Sequence, residues 1–295
     1  MWDLFKRLIG GSPDAAIVVG SGAADVAAQL ERPSRGAAPR RIRRGRRPGL
    51  RTLHRPLQSW EQLAAEPATA GGSARETPST PVPRLTEARN WVYQLQSINW
   101  ERIEASLADV AVIDYAAEGT DATAFTLQQM ARMRTKPGNA GTTRLACYLS
   151  IGEAEVYRYY WDAAWSKKQP PWLDAENGDW VGNYKVHYWD PAWQRILIDG
   201  PDSYLDRILR AGFDGVYLDI IDAFEYWREK GRADADREMI TLVERIAAAA
   251  RKRNPDFLII PQNGEELLHS ARYRAVISAI GKEDIFFRPD LASGR

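Results

Sequence analysis

Acidic and amide side chains fall at the ends of short apolar runs through the second two thirds of this 295-residue chain. Asp219 follows Val216-Tyr217-Leu218, Asp222 lies three residues further on, and Glu283 follows the run Ala275–Ile280. Gln96, Asp114, Ser150, Glu153, Asp190, Asn263 and Glu265 hold matching places after other such runs. Two carboxylates, one protonated and one ionised, are the minimum machinery for cleaving a glycosidic bond. The 11 tryptophans, several of them clustered from Trp161 through Trp172 and Trp180 to Trp189, offer flat faces on which sugar rings could pack; an aromatic core or lid is the competing reading. The acids could instead hold a hard cation such as Mg²⁺, whereas no His-plus-carboxylate spacing suggests zinc. His187 and Cys147 sit inside apolar runs and read as core. Asp219 taken alone could simply cap the helix that follows it.

Those residues matter only if the fold gathers them. Strands are expected over Trp91–Gln96, Asp109–Tyr115, Arg144–Ile151, Tyr184–Trp189, the run ending at Asp219, Phe257–Pro261 and Ala275–Ile280, from their apolar and β-favouring content. Helices are expected over Ile98–Leu107, Thr123–Met133, Ala192–Arg210 and Asp236–Arg253, the last stopped by Asn254-Pro255. Gly212 is placed to end a helix just before the strand that carries Asp219. Strand and helix in alternation mean a parallel sheet of the α/β class. Because most strands end in polar or acidic residues, the expected architecture is a (β/α)8 TIM barrel, in which every such end opens onto one mouth. An open sheet would call for a Gly-rich phosphate loop after the first strand, and Gln94–Asn99 supplies none. Only Ile285–Arg295 follow the acids at residues 283 and 284, so the barrel reads as truncated after strand 7.

Charge divides the chain in two. Residues 1–85 hold 14 Lys/Arg against 7 Asp/Glu, a net of +7, which leaves −6 for the remainder of a chain whose total is +1. Arg32–Arg55 alone contains ten arginines among Pro, Gly and Ala, a composition that cannot bury enough surface to offset its ordering entropy. Residues 1–88 therefore read as a disordered, low-complexity leader and residues 89–295 as the barrel. The leader is either a solvated linker or a basic tail for polyanions; the acidic barrel argues against nucleic acid and suits a neutral or cationic ligand. Lys6-Arg7 and the apolar residues after them imitate a secretion signal only loosely, since Asp14 and several glycines interrupt the run. No stretch of 18 apolar residues could span a membrane. The single cysteine excludes an internal disulfide.

Taken together, WVYQLQ at Trp91–Gln96, VIDY at Val112–Tyr115, CYLSIGEAE at Cys147–Glu155 with Arg158, GFDGVYLD at Gly212–Asp219, PQNG at Pro261–Gly264 and GKEDIFF at Gly281–Phe287 form an ordered set of motifs. In that order and spacing the chain resembles the endo-α-1,4-polygalactosaminidases, glycoside hydrolase family 114, and the bacterial barrel proteins once labelled cysteinyl-tRNA-synthetase-like. The synthetase label finds no support, because HIGH-like and KMSKS-like motifs are missing. The resemblance spans roughly residues 90–287 and implies a barrel that hydrolyses galactosamine-containing polysaccharide without metal or cofactor, in the secreted space or the cell envelope. It implies Asp219 and Glu283 as the catalytic pair, with Gln96, Asp114, Tyr148, Glu153, Asp222 and Asn263 as substrate-binding or pKa-tuning neighbours; Trp172 and Trp189 are the expected sugar-stacking rings. The strand end reads YLDI where polygalactosaminidases proper carry an EPDN-like sequence, and Gln262-Asn263 stands for their Lys-Asn pair, which leaves the sugar open. A non-catalytic glycan-binding barrel and an inactive fragment are the rival readings.

Overall fold

The computed structural model describes residues 16–19, 85 and 88–282. Its central feature is a parallel sheet made of β2 (Trp91–Gln94), β3 (Val110–Ile113), β4 (Arg144–Ser150), β8 (Gly215–Asp219) and β9 (Leu258–Pro261), paired in that order. A bridge from Gln262 to Gly281 continues it to β10 (Ala279–Lys282), whose other edge pairs in parallel with β1 (Ala16–Val19). Between β4 and β8 the chain makes a second, antiparallel sheet in the order β5 (Glu153–Glu155), β7 (Asn183–Val186), β6 (Leu173–Glu176).

The two-residue period of a strand sorts the side chains into two layers. Val110, Val112, Ala146, Tyr217, Leu258, Ile260 and Ala279 cluster inside the sheet, with Trp91 and Tyr93 against them. Their neighbours Ala111, Ile113, Leu145, Cys147, Leu149, Val216, Leu218, Ile259 and Ile280 pack outward into the larger core shared with the helices. Glycine makes one inner contact possible: a Cβ at Gly281 would lie 2.1 Å from the Tyr217 hydroxyl. The long helix Ala235–Arg251 buries Met239, Ile240, Val243, Ile246 and Ala250 at helical spacing.

Three expected elements differ from what forms. The fourth strand, expected over Tyr184–Trp189, is Asn183–Val186 and lies outside the parallel sheet, where β4 pairs directly with β8. A parallel return needs a crossover of a dozen or more residues, usually a helix; residues 151–182 contain only strands, turns and the 3₁₀ turn Ala163–Ser166, so they fold back on themselves. The helix expected over Ala192–Arg210 is two, Pro191–Leu197 and Tyr204–Ala211, separated by Gly200-Pro201, where proline has no N–H to give. The seventh strand starts at Ala279, because Ala275 and Val276 still turn at the end of the helix Ala271–Arg274, their N–H groups donating to the Ala271 and Tyr273 carbonyls. Within the expected leader, Ala16–Val19 is a strand; its other residues up to 84 lie outside the described residues, as do Glu283 and everything after it.

Candidate active site

Asp219 is the last residue of β8 and shares the inward face with Tyr217. Register places Tyr148 opposite Tyr217 and Ser150 opposite Asp219. The Tyr148 hydroxyl donates to Asp219 Oδ2 at 2.7 Å, and the Ile220 N–H donates to Oδ1 at 2.8 Å. Each oxygen of the carboxylate is thereby held by a donor. Burial first, and then the charge of Asp219, push the Tyr148 hydroxyl well above the ordinary tyrosine range, so it remains a donor. Asp219 does not cap the next helix, Ala223–Glu229. Asp222 stands at that cap, without a side-chain bond to the helix.

The backbone around this carboxylate is strained. Ile220 has φ 58°, an uncomfortable value for a β-branched residue. Ser97 (φ 47°) and Asn263 (φ 58°) are the other non-glycine residues with positive φ among those described, and both follow the C-terminal ends of barrel strands, β2 and β9. Strain collected at one rim is characteristic of a site where geometry outweighs comfort. Gly152 completes the rim, since a Cβ there would meet the Ile220 carbonyl oxygen at 2.3 Å.

Behind Tyr148 lies a buried charge network. Arg158, 3% exposed, donates from Nη1 to Asp114 at 2.7 Å and from Nε to Glu155 at 2.6 Å. Its guanidinium is ringed by Tyr157, Tyr204, Tyr148 and Tyr115, at 4.7, 5.5, 5.8 and 5.9 Å. Burial raises the Asp114 carboxyl above the usual carboxylate range, and the Arg158 charge opposes that rise. Asp114 is thus committed to an ion pair with Arg158, whose guanidinium lies 5.8 Å from the Tyr148 ring. Arg158 belongs to one of the sequence motifs, but its partners at positions 114 and 155 become evident only in three dimensions.

Glu153 is also buried; its Oε1 accepts from Asn177 at 2.8 Å and from Lys185 at 3.2 Å. Its Oε2 has no hydrogen-bond partner among the described residues. Asp222 is raised above the ordinary aspartate value, chiefly by burial, while Lys282 and Lys185 pull it down and Glu153 pushes it up. Lys282 pairs with Glu265 at 3.0 Å, and the Asn263 N–H donates to the Gly281 carbonyl at 2.9 Å. The structure therefore brings Tyr148, Glu153, Asp219, Asp222 and Asn263 to one rim.

Other expected residues are placed differently. Gln96 is exposed in the loop after β2, and Asp190 caps Pro191–Leu197 through the Ala192 N–H at 2.7 Å. Trp172 is 4% exposed and packs on Trp165 and Trp193, leaving no ring face for a sugar. Trp189 stacks on His187 with the Arg232 guanidinium 3.7 Å from its ring centre, so it too is engaged by protein. The described residues contain no group of three or more His, Cys, Asp or Glu able to hold a metal ion, and no helix long and apolar enough to cross a membrane.

A family model for glycoside-hydrolase family GH114 matches residues 71–280. The chain belongs to that family. Among relatives, an uncharacterized protein of Thermotoga maritima is 41% identical over 203 residues, 67% of this chain and 60% of its own length. A second, from Methanocaldococcus jannaschii, is 42% identical over 204 residues, again 67% of this chain and 56% of its own length. The GH114 chain thus spans less than two thirds of these relatives. The glycoside hydrolase domain of PelA from Pseudomonas aeruginosa has the same fold, with a TM-score of 0.53 at 18% identity over 70% of this chain and 72% of that one.

Proposed function

We propose that this GH114 chain is a glycoside hydrolase that cleaves internal α-1,4 bonds of a galactosamine-containing polysaccharide with two carboxylates. The observation that carries the proposal is Asp219, an inward-facing carboxylate at the C-terminal mouth of the sheet, with one oxygen held by Tyr148 and the other by a strained backbone N–H. In this reading Asp219 attacks the anomeric carbon or stabilises the positive charge that develops there. Glu283 protonates the leaving oxygen and then takes a proton from the incoming water, the sequence of a retaining enzyme. Glu153, Asp222 and Asn263 line the approach, Gln96 marks its outer rim, and Asp114 acts at one remove by fixing Arg158 near Tyr148. A net charge of −6 outside the first 85 residues favours a polymer whose amines are cationic, by raising its local concentration.

Reducing-end release from partially deacetylated α-1,4-galactosaminogalactan tests the reading. Turnover by the native chain should vanish in Asp219→Asn and fall by about 10²–10⁴ in Glu283→Gln, the usual contribution of a general acid/base. A native chain that folds cooperatively and releases nothing would overturn the assignment. Binding retained by native and Asp219→Asn alike, without turnover in either, would make the barrel a glycan-binding module.

A further inference from the structure

Exposed large apolar side chains concentrate at one end of the small antiparallel sheet. Val156 is 40% exposed, Tyr157 45%, Trp180 68% and Val181 90%, whereas Leu107 and Leu127 are exposed in other parts of the fold. The two segments adjoin: the Val156 N–H donates to the Gly182 carbonyl at 3.0 Å, and a Cβ at Gly182 would lie 3.0 Å from Val156 Cγ2. An exposed apolar cluster with a polar border marks an interaction surface rather than ordinary protein exterior.

The loop that carries Trp180 is braced. Glu176 accepts from the Gly182 N–H at 2.7 Å, the Trp180 N–H donates to the Asn177 carbonyl at 3.2 Å, and the Asn183 N–H donates to the Trp180 carbonyl at 3.1 Å. The ordering entropy of the loop is thus already offset before any ligand arrives, which favours binding. The same loop supplies Asn177, whose side chain holds Glu153 at the rim beside Asp222. One strand links the two places, because Val156 lies three residues beyond Glu153, about 10 Å along an extended chain.

An indole held open to water suits a partner that is flat and apolar on one side and polar at its margin. A pyranose ring is such a partner: its C–H face can lie on the aromatic surface while its hydroxyl or amino groups meet water and the exposed Asp179 and Glu176. We propose that the surface formed by Val156, Trp180 and Val181 is a second sugar-binding subsite, taking units of the polysaccharide remote from the bond cut at Asp219. The inference rests on the glycosidase reading and adds where a long substrate is gripped and why length should matter.

The test is kcat/KM on galactosamine oligomers of two lengths, one just spanning the cleavage point and one several units longer, with the full chain and its Trp180→Ala and Trp180→Phe variants. The native chain should favour the long oligomer. Trp180→Ala should lower that long-to-short ratio about tenfold through a higher KM, the size of effect expected for one stacked ring, and Trp180→Phe should restore much of it. Native turnover with the same length ratio in Trp180→Ala would overturn the subsite and leave the glycosidase standing. The same ratio combined with loss of self-association in sedimentation would also overturn it, and would give the surface to a second copy of the chain. A native chain that cleaves neither oligomer would sink the glycosidase reading and the subsite with it.

Discussion

Tyr148 and Asp219 come from strands separated by 71 positions, and their contact depends on register alone. A phenol whose pKa is pushed far up keeps its proton and donates it to the carboxylate, so it orients Asp219 without competing for the proton. Hydrogen bonds to a charged group are worth about 1.5–3 kcal/mol, so Tyr148→Phe should lower kcat by roughly 10- to 100-fold with a small change in melting temperature. A wild-type rate would show that Asp219 is oriented without need of the Tyr148 hydroxyl. Asp222 makes a different prediction. Its folded carboxyl is raised by burial, so ionising it costs more in the folded protein than in the unfolded chain. Its stabilising contribution is present below the ordinary value of 3.8 and is lost as pH rises through the higher folded value. Asp222→Asn should therefore melt above the native protein at pH 7, and the gap should close as pH falls below 3.8. Equal melting curves at pH 7 would refute that account. Asp219 and Asp222 were legible in the sequence because they end an apolar run. The Tyr148 partnership and the Arg158 network were not, since nothing local encodes which residues face each other across a pleat.

The small antiparallel sheet has the greatest consequence of any single element. It grows directly from β4 and is pinned to the rim at Gly152, where the Val186 N–H donates to the Gly152 carbonyl and the Ile151 N–H donates to the Asp219 carbonyl. Gly152→Ala would set a methyl group 2.3 Å from the Ile220 carbonyl oxygen and 2.7 Å from the Ala223 Cβ. The two loops would have to part, costing about 1–3 kcal/mol as overpacking does, and Asp219 would move with its neighbour. A lowered melting temperature together with a loss of kcat is the expected result; full activity would show that the rim tolerates separation. Sequence pattern identified a strand near Tyr184 but placed it in the main sheet. The error follows from the pattern itself, because an apolar run states that a strand forms and is silent about its partner. The aromatic run from Trp161 to Trp193 misled in a related way: Trp172 and Trp193 build a core under the site, while exposed Trp180 is the ring presented to solvent.

At the scale of the molecule, the barrel was legible because its helices and strands alternate and each strand run is sharply bounded. The strand Ala16–Val19 was not, since four apolar residues amid glycine, serine and alanine carry no mark of a distant partner. In the structure those residues occupy an edge of β10 that would otherwise leave backbone groups unpaired. Removing residues 1–19 should lower the melting temperature and promote association, measured by calorimetry and light scattering. A monodisperse truncated chain with the native melting curve would show that β10 does not depend on β1.

Pairing β1 with β10 joins the first described strand to the last. A ribosome working at about 5–20 residues per second would emit β1 and then take roughly 13–50 seconds to reach β10. Throughout that interval the nascent polypeptide must carry a strand whose partner does not yet exist, and which can meet only wrong edges. Production yield, and any need for a chaperone during translation, should then follow how that early strand is shielded, even when the finished protein is equally stable.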